Sequence, residues 1–114
     1  MKILFTSTGS NWDSILDPRF GRAPFLVQFD DSTNEFIAHD NQEVLKEAHG
    51  AGTATAQKVF DLKPDIIITG NGPGGSAAKV LKLLNVKVFT IKRECSLQEA
   101  YADFNNNKLF EFSF

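Results

Sequence analysis

The segment from Ile66 to Ser76 constrains the fold of this chain more than any other. It begins with three isoleucines and a threonine, a β-branched run typical of a strand that is buried on both faces of a sheet. Glycine then stands at four of the next six positions, and after Ser76 apolar residues recur on one helical face, at Ala77, Val80, Leu81 and Leu84. A strand, a glycine-rich loop and a helix in this order predict an α/β fold.

The glycine loop has two interpretations. A helix N-terminus leaves backbone N–H groups unpaired and carries a partial positive charge, so glycines that let a ligand come close favour an anion site there. The same glycines also suit any tight strand-to-helix connection, because glycine tolerates positive φ without binding anything. Gly70, Gly72 and Gly75 match G-x-G-x-x-G, but no lysine follows them directly as in a P-loop. A phosphate or nucleotide site using the Gly70–Gly75 loop and a simple turn both stay open.

Composition limits the classes of protein to consider. The 114 residues, 42% of them hydrophobic and 23% charged, predict one domain covering residues 1–114. A net charge of −2 argues against a nucleic-acid partner, and no apolar run approaches the roughly 20 residues that span a bilayer. The single cysteine excludes an internal disulfide, and Met1 leads into a strand-like run without a signal-peptide pattern. We therefore expect a cytoplasmic protein with no nucleic-acid and no membrane partner.

Hydrophobic patterning predicts five strands, at residues 2–7, 25–29, 35–39, 66–69 and 86–91. The second and third flank a turn-rich link and should form an antiparallel hairpin. A helix capped by Thr53 should precede the fourth strand, and a capping box from Ser96 to Glu99 should open the last helix. The tail alternates Phe110, Phe112 and Phe114. It is either a short edge strand or a hydrophobic patch, the latter leaving a homo-oligomer open.

These elements predict a mixed five-stranded sheet of order 3-2-1-4-5 with strand 2 antiparallel, flanked by helices. The loops 8–24, 40–53, 70–76 and 92–96 should then converge at one edge, with a ligand crevice beside strands one and four. Cations and helix starts gathered there, including the segment 92–95, favour an anionic ligand. For the arginines, an ion pair with Asp13 or Asp17 is the alternative. The predicted anion-binding residues are Arg19, Arg22, Gly50, Gly52, Thr53, Gly70, Gly72, Gly74, Gly75 and Ser76.

His49 and Cys95 are the candidate metal ligands. His49 lies beside a glycine turn, and Cys95 directly precedes Ser96, where a helix dipole would lower the pKa of the thiol. Simple packing is the alternative for a lone cysteine. One cysteine and two histidines are too few for a structural zinc site or an all-cysteine iron–sulfur site within one chain. No G-x-S-x-G elbow is present and the first strand has no carboxylate, so neither a serine hydrolase nor a two-metal nuclease is indicated.

Three segments in register, at residues 17–25, 49–53 and 68–74, resemble the dinitrogenase iron–molybdenum cofactor biosynthesis family of the NifX and NifB C-terminal type. The resemblance covers essentially the whole chain. It implies a single domain with a ribonuclease H-like α/β fold and no enzyme activity. It further implies binding of an iron–sulfur or iron–molybdenum type cofactor or precursor, with a protein partner for cluster transfer. Arg19 stands where cofactor-carrying members have histidine, and because arginine does not deprotonate, we expect it to supply charge rather than ligation.

Overall fold

A computed structural model describes residues 1–46 and 49–114 of the chain. Within these residues a single mixed sheet carries helices on both faces. The strands are β1 (Lys2–Ser7), β2 (Phe25–Asp30), β3 (Glu35–Asp40), β4 (Ile66–Thr69), β5 (Lys87–Thr90) and β6 (Phe110–Phe112). The helices are α1 (Ala51–Leu62), α2 (Gly75–Lys82) and α3 (Leu97–Asn105), with a 3₁₀ turn at Gln42–Lys46.

The strand order is β3-β2-β1-β4-β5-β6. β1, β4 and β5 are parallel to one another, and β2 runs antiparallel to both β1 and β3. The predicted order of the first five strands is therefore confirmed, but the prediction of five strands is wrong by one. The tail adds β6 antiparallel to β5, pairing Thr90 with Phe110 and Val88 with Phe112. Only the tertiary pairing decides this, because alternating phenylalanines suit a covering patch as well as a strand.

The two faces of the sheet bury two separate apolar clusters. On one face, Phe5 and Ile68 pack under α3 and under Trp12 from the loop after β1. The Trp12 ring lies 5.1 Å from that of Phe29 and 5.8 Å from that of Tyr101, centroid to centroid, and such aromatic pairs hold this loop against the sheet. On the other face, α1 and α2 cover a second cluster: Leu4, Phe20, Leu26, Ala56, Val59, Ile67, Ala77, Leu81, Val86 and Val88.

The helix starts differ in how they are capped. α1 follows Gly50, which has φ 81°, so the helix begins at Ala51 and Thr53 lies inside its first turn. The prediction that Thr53 caps this helix is wrong, because glycine enters the left-handed region easily and lets the chain turn into the helix earlier. α3 has the predicted capping box: Glu99 N donates to Ser96 Oγ at 3.1 Å, and Ser96 N donates to Glu99 Oε1 at 2.9 Å.

The sheet topology places one set of loops together. The carboxyl ends of β1, β4 and β5 meet at one edge, which we call the carboxyl edge, and the loops 8–24, 70–74 and 91–96 leave from it. In the sheet, β2 and β3 lie on one side of β1, and β4 pairs with β1 on its other side. Because the chain changes direction across the sheet at this point, a crevice is expected at the carboxyl ends of β1 and β4. Among the helices of the described residues, none is long and apolar enough to cross a membrane.

Candidate functional site

The loop between β1 and β2 lies against the glycine loop that follows β4. Asn71 N donates to Pro18 O at 2.7 Å, and a Cβ added to Gly70 would overlap the Cα and Cβ atoms of Pro18. Only a residue without a side chain permits this approach. The structure therefore gives Gly70 a packing role that is independent of any ligand.

The same loop also contacts the start of α1. A Cβ added to Gly21 would lie 2.8 Å from Gly52 Cα, and Thr55 Oγ1 donates to Gly21 O at 3.4 Å. The segments 17–25, 49–53 and 68–74, which carry the family resemblance, thus meet in space. Gly21 and Gly70 thus let the loop between β1 and β2 approach each of the other two segments closely.

A buried carboxylate anchors the loop between β1 and β2. Asp17 is 1% exposed and accepts hydrogen bonds from Arg19 N at 2.9 Å, Arg19 Nε at 3.1 Å and Arg19 Nη2 at 3.0 Å. The backbone of Asp17 is held by Thr6, whose Oγ1 donates to Asp17 O and lies 2.7 Å from Thr69 Oγ1. The bond to Asp17 raises the pKa of the Arg19 guanidinium. The ion-pair alternative for Arg19 is therefore confirmed, with Asp17 as its partner.

A cavity of about 320 Å³ opens at the carboxyl edge between these loops. Its apolar walls come from the loop after β1 and from the end of β5, and its polar rim carries two cations. Lys92 Nζ donates to Gly70 O at 3.2 Å and to Asn71 Oδ1 at 3.4 Å, which ties the rim to the glycine loop. The lining residues are Thr8, Ile15, Leu16, Pro18, Gly70, Asn71, Ile91, Lys92, Arg93 and Glu94.

Arg93 on this rim is held by α3. Its Nη2 donates to Asp103 Oδ2 at 2.7 Å, and this bond raises the pKa of the guanidinium. Arg93 remains 52% exposed, whereas Asp103 is only 18% exposed. The cavity therefore combines an apolar wall with two cations, Lys92 and Arg93, and one carboxylate, Glu94. The excess of positive charge beside an apolar wall suits an anion with little bound water.

Most residues predicted to bind an anion lie outside this cavity. Gly70 lines it; the other predicted anion-binding residues do not. Gly72 is covered by the ring of Phe112, which an added Cβ would overlap, so the predicted open loop is closed there by β6. Arg22 Nη1 donates to Leu45 O at 3.5 Å. The remaining group lies at the starts of α1 and α2: Gly50, Gly52, Thr53, Gly74, Gly75 and Ser76.

The candidate metal ligands are also placed apart from the cavity. Cys95 is 2% exposed among core residues that include Leu16 and Leu97, and burial raises the pKa of its thiol. The predicted lowering of this pKa is wrong, because the loss of hydration on burial outweighs the lowering by the charge of Arg93. His49 is exposed beside Gly50. Across residues 1–46 and 49–114, no group of three or more His, Cys, Asp and Glu residues is arranged to hold a metal ion.

Sequence reasoning placed segment 92–95 at the carboxyl edge but did not select Lys92 and Arg93 as site residues. Lys92 and Arg93 could have been selected because they follow the end of β5, and the residues that follow parallel strands meet at one edge of a sheet. The apolar wall had no such signal. Ile15, Leu16 and Pro18 lie in a loop, and only the folding of that loop over β1 turns them toward the cavity.

The fold and the cavity together define an α/β domain with a pocket at the carboxyl edge of its sheet. Comparison with known proteins names the family: residues 1–107 match the model for the dinitrogenase iron-molybdenum cofactor family, and the chain belongs to that family. No curated protein shows significant similarity to the chain.

Several solved structures are similar to this chain, and two of them show the likeness over nearly its whole length. The apo form of the orange protein from Desulfovibrio gigas is 28% identical, covers 98% of this chain and 92% of its own, and superposes with a TM-score of 0.90. A Thermotoga protein of the DUF35 family, provisionally described as NifB, is 25% identical, covers 99% of this chain and 97% of its own, and has a TM-score of 0.82. These likenesses agree with the overall fold described above.

Proposed function

We propose that this protein binds an anionic iron–sulfur or iron–molybdenum type cofactor, or a precursor of one, in the cavity at the carboxyl edge. It acts as a carrier rather than an enzyme and passes its cargo to a protein partner. Membership of the dinitrogenase iron-molybdenum cofactor family supports this class of cargo. The proposal extends to a cytoplasmic location and to a ribonuclease H-like classification of the fold, both of which follow from the resemblance and from the sequence.

The lining of the cavity is the observation that carries the proposal. Ile15, Leu16 and Ile91 provide an apolar wall. At the rim, the two cations Lys92 and Arg93 outnumber the one carboxylate, Glu94. An anion that enters such a cavity loses water on the apolar side, and the loss costs least for a large anion with sulfide on its surface. The cationic rim then donates charge-assisted hydrogen bonds to the same anion.

Among the described residues, no cysteine or histidine lines this cavity. We therefore propose that the cargo is held by packing, charge and hydrogen bonds rather than by a bond from a protein ligand to the metal. The competing proposal is ligation by His49 and Cys95. It requires Cys95, which is 2% exposed, to leave the hydrophobic core. It also requires the thiol to lose its proton, although burial raises the pKa of this thiol.

An anaerobic titration with tetrathiomolybdate, and a parallel reconstitution with iron and sulfide, tests the proposal by absorption spectroscopy and metal analysis. Molybdate, the oxygen analogue of the first probe, is the matched control because it has the same charge and stronger hydration. We expect saturable binding of tetrathiomolybdate that is at least tenfold tighter than that of molybdate. Equal binding of both ions would contradict selection by the apolar wall.

Two variants locate the site. Ile15→Asn places a polar group in the wall at a position that is 38% exposed, so it should weaken thiomolybdate binding without disturbing the core. His49→Ala combined with Cys95→Ser should leave binding unchanged. Loss of binding in the double variant, with the thermal midpoint preserved, would instead support direct ligation. Retention of full affinity in Ile15→Asn would remove the cavity as the binding site.

One observation favours a second candidate, a phosphate or nucleotide module. Gly74 and Gly75 have nothing within 4 Å of an added Cβ, and the N-terminus of α2 has no side-chain cap, so a phosphate can approach its N–H groups. A Gly75→Val variant distinguishes the candidates. It should weaken binding of a nucleotide at α2 and leave thiomolybdate binding in the cavity unaffected.

A further inference from the structure

We propose that Arg93 determines the anion affinity of the carboxyl-edge cavity and that Asp103 competes with the bound anion for its guanidinium. The inference rests on the proposed function, because it concerns the same cavity. It adds a specificity-determining residue, Arg93, and a residue on α3, Asp103, that acts through it without touching the ligand.

Arg93 lies on a wall between two cavities. The first is the cavity of about 320 Å³, and the second, of about 280 Å³, lies beside β6. Ile91, Lys92 and Arg93 line both. The second cavity is also lined by Asp103 and Lys108, so Arg93 borders both the ligand cavity and the cavity that contains its carboxylate partner.

The hydrogen bonding of Arg93 leaves capacity for a ligand. Within the described residues its one hydrogen bond runs from Nη2 to Asp103 Oδ2, at 2.7 Å. A guanidinium has five N–H donors in a planar fork, so most of them stay available for an anion. The bond to Asp103 nevertheless fixes where the fork points, and a ligand that needs paired donors must compete with that carboxylate.

The charges around Arg93 make Asp103 the group that limits its attraction for an anion. In the first cavity the rim carries Lys92 and Arg93 against Glu94. On α3, Asp103 contacts Arg93 directly, whereas the carboxylate of Glu99 is engaged with the backbone of Ser96. Removing the charge of Asp103 should therefore free Arg93 for the ligand and strengthen binding.

The test is a double-mutant cycle on the whole chain, with tetrathiomolybdate as the probe. Dissociation constants are measured for the wild type, Asp103→Asn, Arg93→Gln and the combined variant, and circular dichroism confirms that each is folded. The pair is partly exposed, so we expect Asp103→Asn to bind about two- to fivefold more tightly and Arg93→Gln to bind about tenfold more weakly. The gain from Asp103→Asn should fall with rising salt.

Glu111→Gln is the control, because it removes an equal charge from β6 without removing a hydrogen bond to Arg93. If Asp103 acts through Arg93, Asp103→Asn should give less than a twofold gain in the Arg93→Gln background, and Glu111→Gln should give little gain in either. An equal gain from Asp103→Asn in both backgrounds, or a gain as large from Glu111→Gln, overturns the inference while leaving the proposed function intact. Absence of binding by the wild type overturns both.

Discussion

At the scale of single residues, glycines that looked alike in the sequence have different roles. Gly70 is packed against Pro18 and Gly72 is packed under Phe112, so both are required by neighbouring atoms. Gly74 has open space around it and φ −67°, a value that any residue adopts. A glycine-rich loop is therefore a mixture of structural positions and positions at which another side chain fits.

This difference predicts the result of two alanine substitutions. Gly70→Ala should lower the free energy of unfolding by about 1–3 kcal/mol, because the backbone of Pro18 has to move. Gly75, the first residue of α2, also has open space around an added Cβ, so Gly75→Ala should change this free energy by no more than about 0.5 kcal/mol, or raise it slightly by restricting the unfolded chain. Urea unfolding of both variants checks this. Equal effects at the two positions would show that the contact of Gly70 with Pro18 does not constrain the loop.

At the scale of elements, α3 is fixed at its start by the capping box between Ser96 and Glu99. The hydrogen bond from Ser96 N lowers the pKa of the Glu99 carboxyl. A carboxyl with a lowered pKa in the folded state stabilises the fold above its ordinary value, about 4.3, and loses that contribution as the pH falls through the lower folded value. The start of α3 is thus expected to weaken in acid.

Two variants test the capping box. Ser96→Ala should cost about 1 kcal/mol at neutral pH, because the N–H of Glu99 loses its acceptor. Glu99→Gln keeps the hydrogen-bonding shape and removes the charge, so its stability difference from the wild type should be constant at neutral pH and shrink below about pH 4. Thermal midpoints measured from pH 3 to pH 7 supply the comparison. A difference that grows in acid would mean that folding raises the pKa of Glu99 instead of lowering it.

β6 is the element that closes the glycine loop. Phe112 packs against the cluster beneath α1 and α2 and covers Gly72, whereas Phe110 is 70% exposed. The alternation along β6 therefore does not give its aromatic side chains equal burial. One ring completes the core, and the other lies in solvent beside the second cavity.

Phe112→Ala should consequently destabilise the fold by about 2–4 kcal/mol, and Phe110→Ala by less than about 0.5 kcal/mol. Gly72→Ala should also be destabilising, but much less so when combined with Phe112→Ala, because the ring that it would overlap is gone. Denaturant midpoints of the three single variants and the Gly72/Phe112 pair measure this coupling. Additive costs for Gly72 and Phe112 would contradict the contact.

At the scale of the whole molecule, the cavity is built from the loop after β1, the glycine loop and the end of β5. A ligand that binds there joins segments far apart in the chain, and so binds the native state but not the unfolded chain. Saturating tetrathiomolybdate at about 100 times its Kd should raise the free energy of unfolding by about 2.7 kcal/mol. Anaerobic thermal unfolding at several ligand concentrations measures the shift, and Ile15→Asn should reduce it. A midpoint independent of concentration would contradict binding to the native state.

Much of the fold followed from local patterning. The hairpin and the order of the first five strands were predicted from hydrophobic periodicity and from the rules for connecting strands. Both are present in the structure. The capping box at Ser96 was equally readable, since its two residues bond within one turn. The predicted start of α1 was too late in the chain, because threonine is a residue type that often caps helices. In the structure Gly50 has a left-handed conformation and the helix begins directly after it.

The site was less predictable for a physical reason. Lys92 and Arg93 were placed at the correct edge because the ends of parallel strands converge, which depends only on topology. Burial of Cys95 and closure over Gly72 depend instead on contacts that packing of the folded chain creates. The ion pair of Arg19 with Asp17 could be offered as an alternative from the sequence, because the two residues are only two positions apart. A sequence read along its length contains the residue types for such contacts but not their distances.

The sequence by itself therefore determined the alternation of strands and helices and the edge at which loops gather, because hydrophobic periodicity and the handedness of connections act locally. Only the tertiary structure decided which atoms line the cavity. The loop after β1 folds back through Pro18 and Gly70, and β6 covers Gly72 through Phe112. These close approaches depend on how the whole molecule packs, and a sequence read residue by residue does not contain them. Because of them, the glycine loop that suggested an open anion site instead forms part of the wall of the cavity at the carboxyl edge.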